Sequence, residues 1–239
     1  MTKPVESLNP YVMFGHSGLF GDYFDIIHLN DGALTKVVIN RENVPPTNGR
    51  YFVERLEGAN NLLARLHAGY EIQLEHLDHF KPRDGERYVI GFRGLQLRPL
   101  RDSLKSRFGI PIDRLIHPAA QISPSASLGE GVIVAAGCVI ASCVSIGDYC
   151  LVNRATSIGH DCHVEEFANI GPGTHLASGV KVGRASVLGI GVTVIENIVI
   201  GAGARVAAGA VVTRNVGDCT MVAGIPAAFV KTLDASDPA

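Results

Sequence analysis

Between Ile116 and Val212 every sixth residue is aliphatic: Ile116, Ile122, Leu128, Val134, Ile140, Ile146, Val152, Ile158, Val164, Ile170, Leu176, Val182, Leu188, Val194, Ile200, Val206 and Val212. If a third of positions are large and aliphatic, chance gives such a run about once in 10⁸ trials, and so strict a period marks a repeat architecture. A helix repeats at 3.6 residues and a strand at 2, and neither sustains a six-residue period over such a length. Six residues make a short strand and a turn. Three units close a triangular coil of about eighteen residues, and coils stack through parallel strands.

Two positions before each aliphatic residue stands a smaller one, among them Cys138, Cys150, Thr156, Cys162, Thr174 and Ser186. Residues two apart in a strand point the same way, so both series face inward. Glycine often follows the aliphatic residue, as at Gly129, Gly147, Gly159, Gly171, Gly183, Gly189 and Gly201. These read as turn positions, where the missing Cβ permits unusual dihedrals or close contact between coils.

The first part of the chain has another rhythm. Strands are expected at Tyr11–Phe14, Val37–Asn40 and Tyr88–Gly91, and helices over 22–29, 52–67 and 95–108. Alternation of this kind predicts a small parallel α/β domain. Residues 70–87 read as an irregular surface excursion. After Val212 the period is lost, and the turn Gly224-Ile225-Pro226-Ala227 is expected to cover the last coil. The predicted organisation is therefore a domain over 1–112, a repeat domain over 113–215 and a capping segment with tail over 216–239.

Charge adds exclusions. Net charge is −2 and charged residues make up 18%, so no basic face points to nucleic acid. The N-terminus lacks a signal-peptide pattern and the repeat's apolar tracts are interrupted by Gly and Arg205, so a cytoplasmic protein without a membrane span is expected. Five cysteines is an odd number, and three fall in the inward series. They read as reduced core thiols.

Chemistry must then lie on the outside of the repeat or in the other domain. The polar candidates are Asn153, His160, Asp161, His163 and Asn169. His160 and Asp161 follow Gly159, outside the inward series. An imidazole there suits proton abstraction from an amine or hydroxyl near neutral pH, and the adjacent acid suits its orientation. The plain alternative is an exposed histidine on a turn. A metal would draw on His160, Cys162, His163 and His175, whose spacing suits a tetrahedral site poorly. In the first domain, Gly15-His16-Ser17-Gly18 between a strand and a helix could cradle a phosphate or simply make a tight turn.

These residues carry a resemblance. The hexads, with Val152-Asn153, Ile158-Gly159-His160-Asp161-Cys162, Phe167-Ala168-Asn169, Ser123-Pro124-Ser125-Ala126 and Gly224-Ile225-Pro226-Ala227, resemble left-handed β-helix acyltransferases. The similar branch is that of bacterial nucleotide-amino-sugar N-acetyltransferases and sialic-acid O-acetyltransferases (PglD/NeuD-like). The resemblance implies a mainly β fold: a left-handed parallel β-helix of hexapeptide repeats after a small Rossmann-like α/β domain. It implies a homotrimer with acetyl-CoA between neighbouring prisms. His160 would be general base with Asp161 as partner and Asn153 nearby, while Asn169, Ser178, Gly189, Ile190 and Ala208 would meet the cofactor. Gly15, His16, Ser17, Gly18 and Asn40 would hold the sugar nucleotide, and no metal is expected. Leu19 stands where many members have His or Gln, and Ile39-Asn40-Arg41 where many carry an acid pair. N-acetylation of a nucleotide-linked amino sugar is the leading expectation. O-acetylation of a sugar such as sialic acid, a zinc hydratase and a non-catalytic sugar-binding scaffold are the alternatives.

Overall fold

A computed structural model describes residues 7–39, 51–66 and 68–234. The chain divides into two compact units. One holds residues up to Phe92 together with Pro99–Asp113, and the other holds Arg93–Arg98 and everything from Arg114 onward.

The first unit is built on a four-stranded parallel sheet. Its strands are β1 (Asn9–Phe14), β2 (Gly32–Ile39), β3 (Gln73–His76) and β4 (Arg87–Ile90), in the order β3-β2-β1-β4. Val12, Met13, Phe14, Leu34, Val37 and Val89 are buried, as a parallel sheet requires. Helices α1 (Phe20–Leu29) and α2 (Phe52–Arg65) belong to this unit. A third, α3 (Arg98–Phe108), follows a 3₁₀ turn at Leu95–Leu97, so the expected helix over 95–108 has two parts. Pro99 sits in the first turn of α3, where its missing N–H leaves no helical bond unmade.

Strand β3 corrects the reading of 70–87 as irregular. Its residues, Gln-Leu-Glu-His, lack an apolar run because β3 is an edge strand with much of its surface in water. Specific contacts hold it instead. The half-buried Glu75 carboxylate accepts from the buried Lys36 ammonium at 2.8 Å. The Asn60 side chain bonds both the N–H and the C=O of Ile72, at 2.8 and 3.2 Å. Ile72, Leu77 and Phe80 anchor the flanks in the core.

The second unit is a left-handed parallel β-helix. Seventeen two-residue strands run from β5 (Leu115–Ile116) to β21 (Val211–Val212). Each pairs in parallel with the strand eighteen residues away; Ile158 lies between Ile140 and Leu176. The aliphatic series fills the interior, with only Ile116, Ile122 and Leu128 at the first coils partly exposed. The small series completes it. Its hydroxyls and thiols donate to carbonyls fifteen residues on: Thr156 to Gly171, Cys162 to Ala177 and Ser186 to Gly201. A polar atom thus enters an apolar core without being left unpaired.

That burial silences the thiols. Desolvation pushes Cys150 up to about 12 and raises Cys138 and Cys162, so at pH 8 all three stay protonated. Cys143 is exposed. A maleimide reagent at pH 8 is expected to label Cys143 within minutes and to spare Cys138, Cys150 and Cys162 until denaturant is added, as read by peptide mass spectrometry.

The glycines that follow the aliphatic residues are not where the chain turns left. Left-handed dihedrals fall two positions later, at Gly131, Gly137, Cys143, Tyr149, Ala155, Asp161 and Phe167 among others. The glycines serve the closeness of the coils. A Cβ on Gly159 would lie 2.8 Å from Ala177 C and Ser178 N of the next coil.

Beyond Val212 the coil is shortened rather than ended. Val216 bridges Ile200. Strand β22 (Thr220–Ala223) joins the sheet beside β20 (Arg205–Val206), placing Val222 in the core, and β23 (Ala228–Thr232) pairs antiparallel with it. The Gly224–Ala227 turn connects this final hairpin.

Candidate active site

Residues eighteen apart stack at one corner of the triangular coil. One corner carries Ser142, His160, Ser178 and Glu196 in successive coils. Their turns are tied together by the amides of the next residue. Asp161 N–H donates to Ser142 O (3.1 Å), Gly179 N–H to His160 O (3.0 Å) and Asn197 N–H to Ser178 O (3.0 Å).

Asp161 occupies the left-handed position of its turn, with φ of +60°. Asp and Asn tolerate this region better than most residues. Here the carboxylate reaches back to the preceding side chain, and Asp161 Oδ2 lies 2.7 Å from His160 Nδ1. A carboxylate only accepts, so Nδ1 carries the proton and Nε2 presents its lone pair outward. Both side chains are more than 60% exposed in the single chain. The pair can orient a base, but one chain supplies no wall around it.

A second corner holds most of the other candidates. Asn153 is 9% exposed, and its Oδ1 accepts from Arg154 N–H at 2.8 Å. Asn153 N–H donates to Ile170 O, which brings it beside Asn169 at the start of β14 (Asn169–Ile170). Gly189 stacks two coils beyond Asn153 in this column. Ile190 and Ala208 follow at the same corner, where Gly209 N–H donates to Ile190 O at 2.8 Å. Ile190 is 64% exposed. Ser178 alone of the cofactor candidates shares the corner of His160.

The candidates from 153 to 169 therefore divide between corners, although the sequence presents them as one neighbourhood. A displacement of six residues moves one side around the coil, and only eighteen returns to the same corner. The same rule separates the histidines. His163 lies on the side of Ser145 and His175 on that of Ser157, each with Nδ1 against the serine hydroxyl, at 2.5 and 2.7 Å. Among the described residues no group of three His, Cys, Asp or Glu side chains is placed to hold a metal ion.

In the first unit, Gly15-His16-Ser17-Gly18 does lie between β1 and α1. Gly15 has φ of +68°, and a Cβ there would meet the Phe92 ring at 2.6 Å, so both its backbone and its surroundings require glycine. Ser17 closes the turn, its Oγ accepting from Leu19 N–H and its carbonyl from Phe20 N–H. Two residues that the sequence reading did not single out complete the loop. Phe52 stacks on the His16 ring at 3.9 Å, and Arg55 Nη1 donates to Gly18 O at 3.1 Å. Burial first, and Arg55 second, lower the His16 pKa, so the ring is neutral near pH 7. Phe52 and Arg55 lie three apart on α2 and share a face, but no local pattern shows which loop that face meets. Asn40 lies outside the described residues.

No family model matches the sequence, and no curated protein does. Solved structures do. A histidine variant of perosamine N-acetyltransferase from Caulobacter crescentus, in complex with CoA and GDP-perosamine, is 27% identical with a TM-score of 0.71, covering 93% of this chain and 97% of that one. The acetyltransferase domain of PglB from Neisseria gonorrhoeae with acetyl coenzyme A has a TM-score of 0.74 at 23% identity, over 93% of this chain and all of that one. WeeI from Acinetobacter baumannii has a TM-score of 0.73 at 21% identity, over 92% and 99% of the two chains. The last two bear on the fold alone.

Proposed function

We propose that this chain, a member of the left-handed β-helix sugar N-acetyltransferases, transfers the acetyl group of acetyl-CoA to the amino group of a nucleotide-linked sugar. The observation that carries the mechanism is the His160–Asp161 pair, held at 2.7 Å on a corner whose neighbouring coils are polar. With Asp161 fixing the proton on Nδ1, His160 Nε2 accepts the proton of the attacking amine as its nitrogen adds to the thioester carbonyl. The tetrahedral intermediate then expels the CoA thiolate, which takes up a proton, and the amide remains on the sugar. The amide of Ser178 has no acceptor among the described residues and stands one coil from His160, where it can steady the thioester oxygen. A cysteine nucleophile is unnecessary, and the inward thiols are unsuited to the role.

Three further parts belong to this reading. Residues 1–112 hold the sugar nucleotide, with Gly15–Gly18 and Arg55 at its phosphates and His16 beside it. Residues 113–215 carry out acyl transfer and 216–239 cap them. The assembly is a homotrimer, because the corner with His160 and the corner with Asn153, Asn169, Gly189, Ile190 and Ala208 face different directions on one prism. A neighbouring copy can bring its second corner to the first. No described helix is long and apolar enough to cross a membrane, and we place the enzyme in the cytoplasm, where acetyl-CoA is supplied.

The test is a panel of GDP-, UDP- and dTDP-linked amino sugars offered with acetyl-CoA, reading free thiol and the N-acetyl product. At least one donor–acceptor pair should release thiol in step with amide. Acetylation of hydroxy sugars alone would move the reading to O-acetylation. Absence of CoA binding at millimolar ligand would favour a scaffold.

A further inference from the structure

The corner that carries His160 is also a ruler. Strand spacing sets successive coils about 4.8 Å apart, so a residue three coils away lies about 14 Å along the prism. Toward the N-terminal end the column holds Ser142 and Pro124, with Cys143 and Ser125 beside them, and no charge. Toward the C-terminal end it holds Ser178 and Glu196, then Arg214 one coil further.

Arg214 follows β21 (Val211–Val212), which pairs with β18 (Thr193–Val194), and so takes up the corner after Glu196. The turn is anchored, because Val199 N–H donates to Asn215 Oδ1 at 2.9 Å. Arg214 is exposed and has no ion-pair partner among the described residues. Other cations of this unit are occupied or badly placed. Arg184 is paired with Glu166 at 2.6 Å. Arg114 donates to Gly129 O at 3.0 Å. Lys181, three residues after Ser178, stands only one coil from His160, at the level of the thioester.

From its sulfur to its first phosphorus the pantetheine arm of CoA spans about 13 bonds, roughly 15 Å at the reach of an extended peptide-like chain. Arg214 is the cation of this corner at that distance. We propose that Arg214 binds the pyrophosphate of CoA and so sets the arm's direction, from His160 toward the C-terminal hairpin. A guanidinium suits a phosphodiester because its planar fork can donate to two oxygens. Glu196, between them, meets the arm where it is uncharged and carries amide N–H groups that a carboxylate can accept.

This inference rests on the acetyl-CoA reading above, and the test separates the two. Calorimetry should compare CoA, 3′-dephospho-CoA and pantetheine on wild type, Arg214→Ala and Arg214→Lys. The expected result is a loss of about tenfold in affinity for both CoA and dephospho-CoA in Arg214→Ala, a smaller loss in Arg214→Lys, and unchanged pantetheine binding. The wild-type loss of affinity with salt should be weaker in Arg214→Ala. Equal CoA affinity in wild type and Arg214→Ala overturns the inference while leaving acetyl transfer intact. A loss confined to CoA overturns the pyrophosphate assignment, since only the 3′-phosphate would then be contacted. A wild type that binds no CoA sinks the acetyl-CoA reading, and the inference falls with it.

Discussion

Replacing His160 by Ala is expected to lower turnover by about 10²–10⁴-fold, the usual worth of a positioned general base. The fold should be untouched. The imidazole is 61% exposed, and what ties this turn to its neighbours is the backbone, through Gly179 N–H to His160 O and Asp161 N–H to Ser142 O. Alanine keeps both bonds. The melting temperature and the oligomer on a sizing column should therefore match wild type while acetyl transfer collapses. Asp161→Asn provides a graded control. Asn tolerates the left-handed backbone at φ +60°, but its neutral oxygen stabilises the imidazolium less than a carboxylate does. A smaller loss than in His160→Ala is expected. Unchanged turnover in His160→Ala, measured by thiol release with the preferred acceptor, would sink the mechanism.

The second large effect is on stability. Gly159→Val should destabilise the protein by about 2–3 kcal/mol, as overpacking of a close-packed interior does. The Cβ alone would stand 2.8 Å from Ala177 C and Ser178 N, and these are backbone atoms held by the ladder, so neither can swing aside. Coils would have to part at the level of His160 and Ser178, and turnover should fall with stability. Gly191 supplies the contrast. Its φ is +67°, but a Cβ there would have nothing within 4 Å. Asn is accepted at the equivalent turn position 197, where φ is +60°, so Gly191→Asn should cost little. A denaturant midpoint for Gly159→Val equal to that of Gly191→Asn would refute the close-contact account.

The two glycine classes also show where sequence reading stops. Gly159 and Gly191 are both glycines in a hexad, and a turn could explain either. What distinguishes them is the backbone of the adjacent coil, which lies eighteen residues away in the chain. Strand β3 escapes the sequence pattern for a related reason. An edge strand needs no apolar run, and Gln73–His76 is held by Lys36 and flanked by a contact from Asn60, neither of which leaves a local pattern. Phe52 and Arg55 reach the Gly15–Gly18 loop only because α2 and that loop are brought together across the first unit. His163 against Ser145 and His175 against Ser157 are, by contrast, available from the eighteen-residue coil alone.

The hexad period is enough to establish the repeat, the three-sided coil, the residues that face inward and the removal of Cys138, Cys150 and Cys162 from the list of nucleophiles. Periodicity can do this because a side chain's direction within a strand depends only on its neighbours in the chain. It also marks His160 and Asp161 as outward and adjacent. Contacts made on folding settle the rest: Asp161 turns back onto Nδ1, Asn153 and Asn169 belong to another corner than His160, and Arg214 closes the column His160 begins. Those are relations between coils and between dihedrals, set by hydrogen bonds across eighteen residues and by a left-handed turn that the hexad leaves open to Gly, Cys, Tyr, Ala, Asp, Phe or Asn alike.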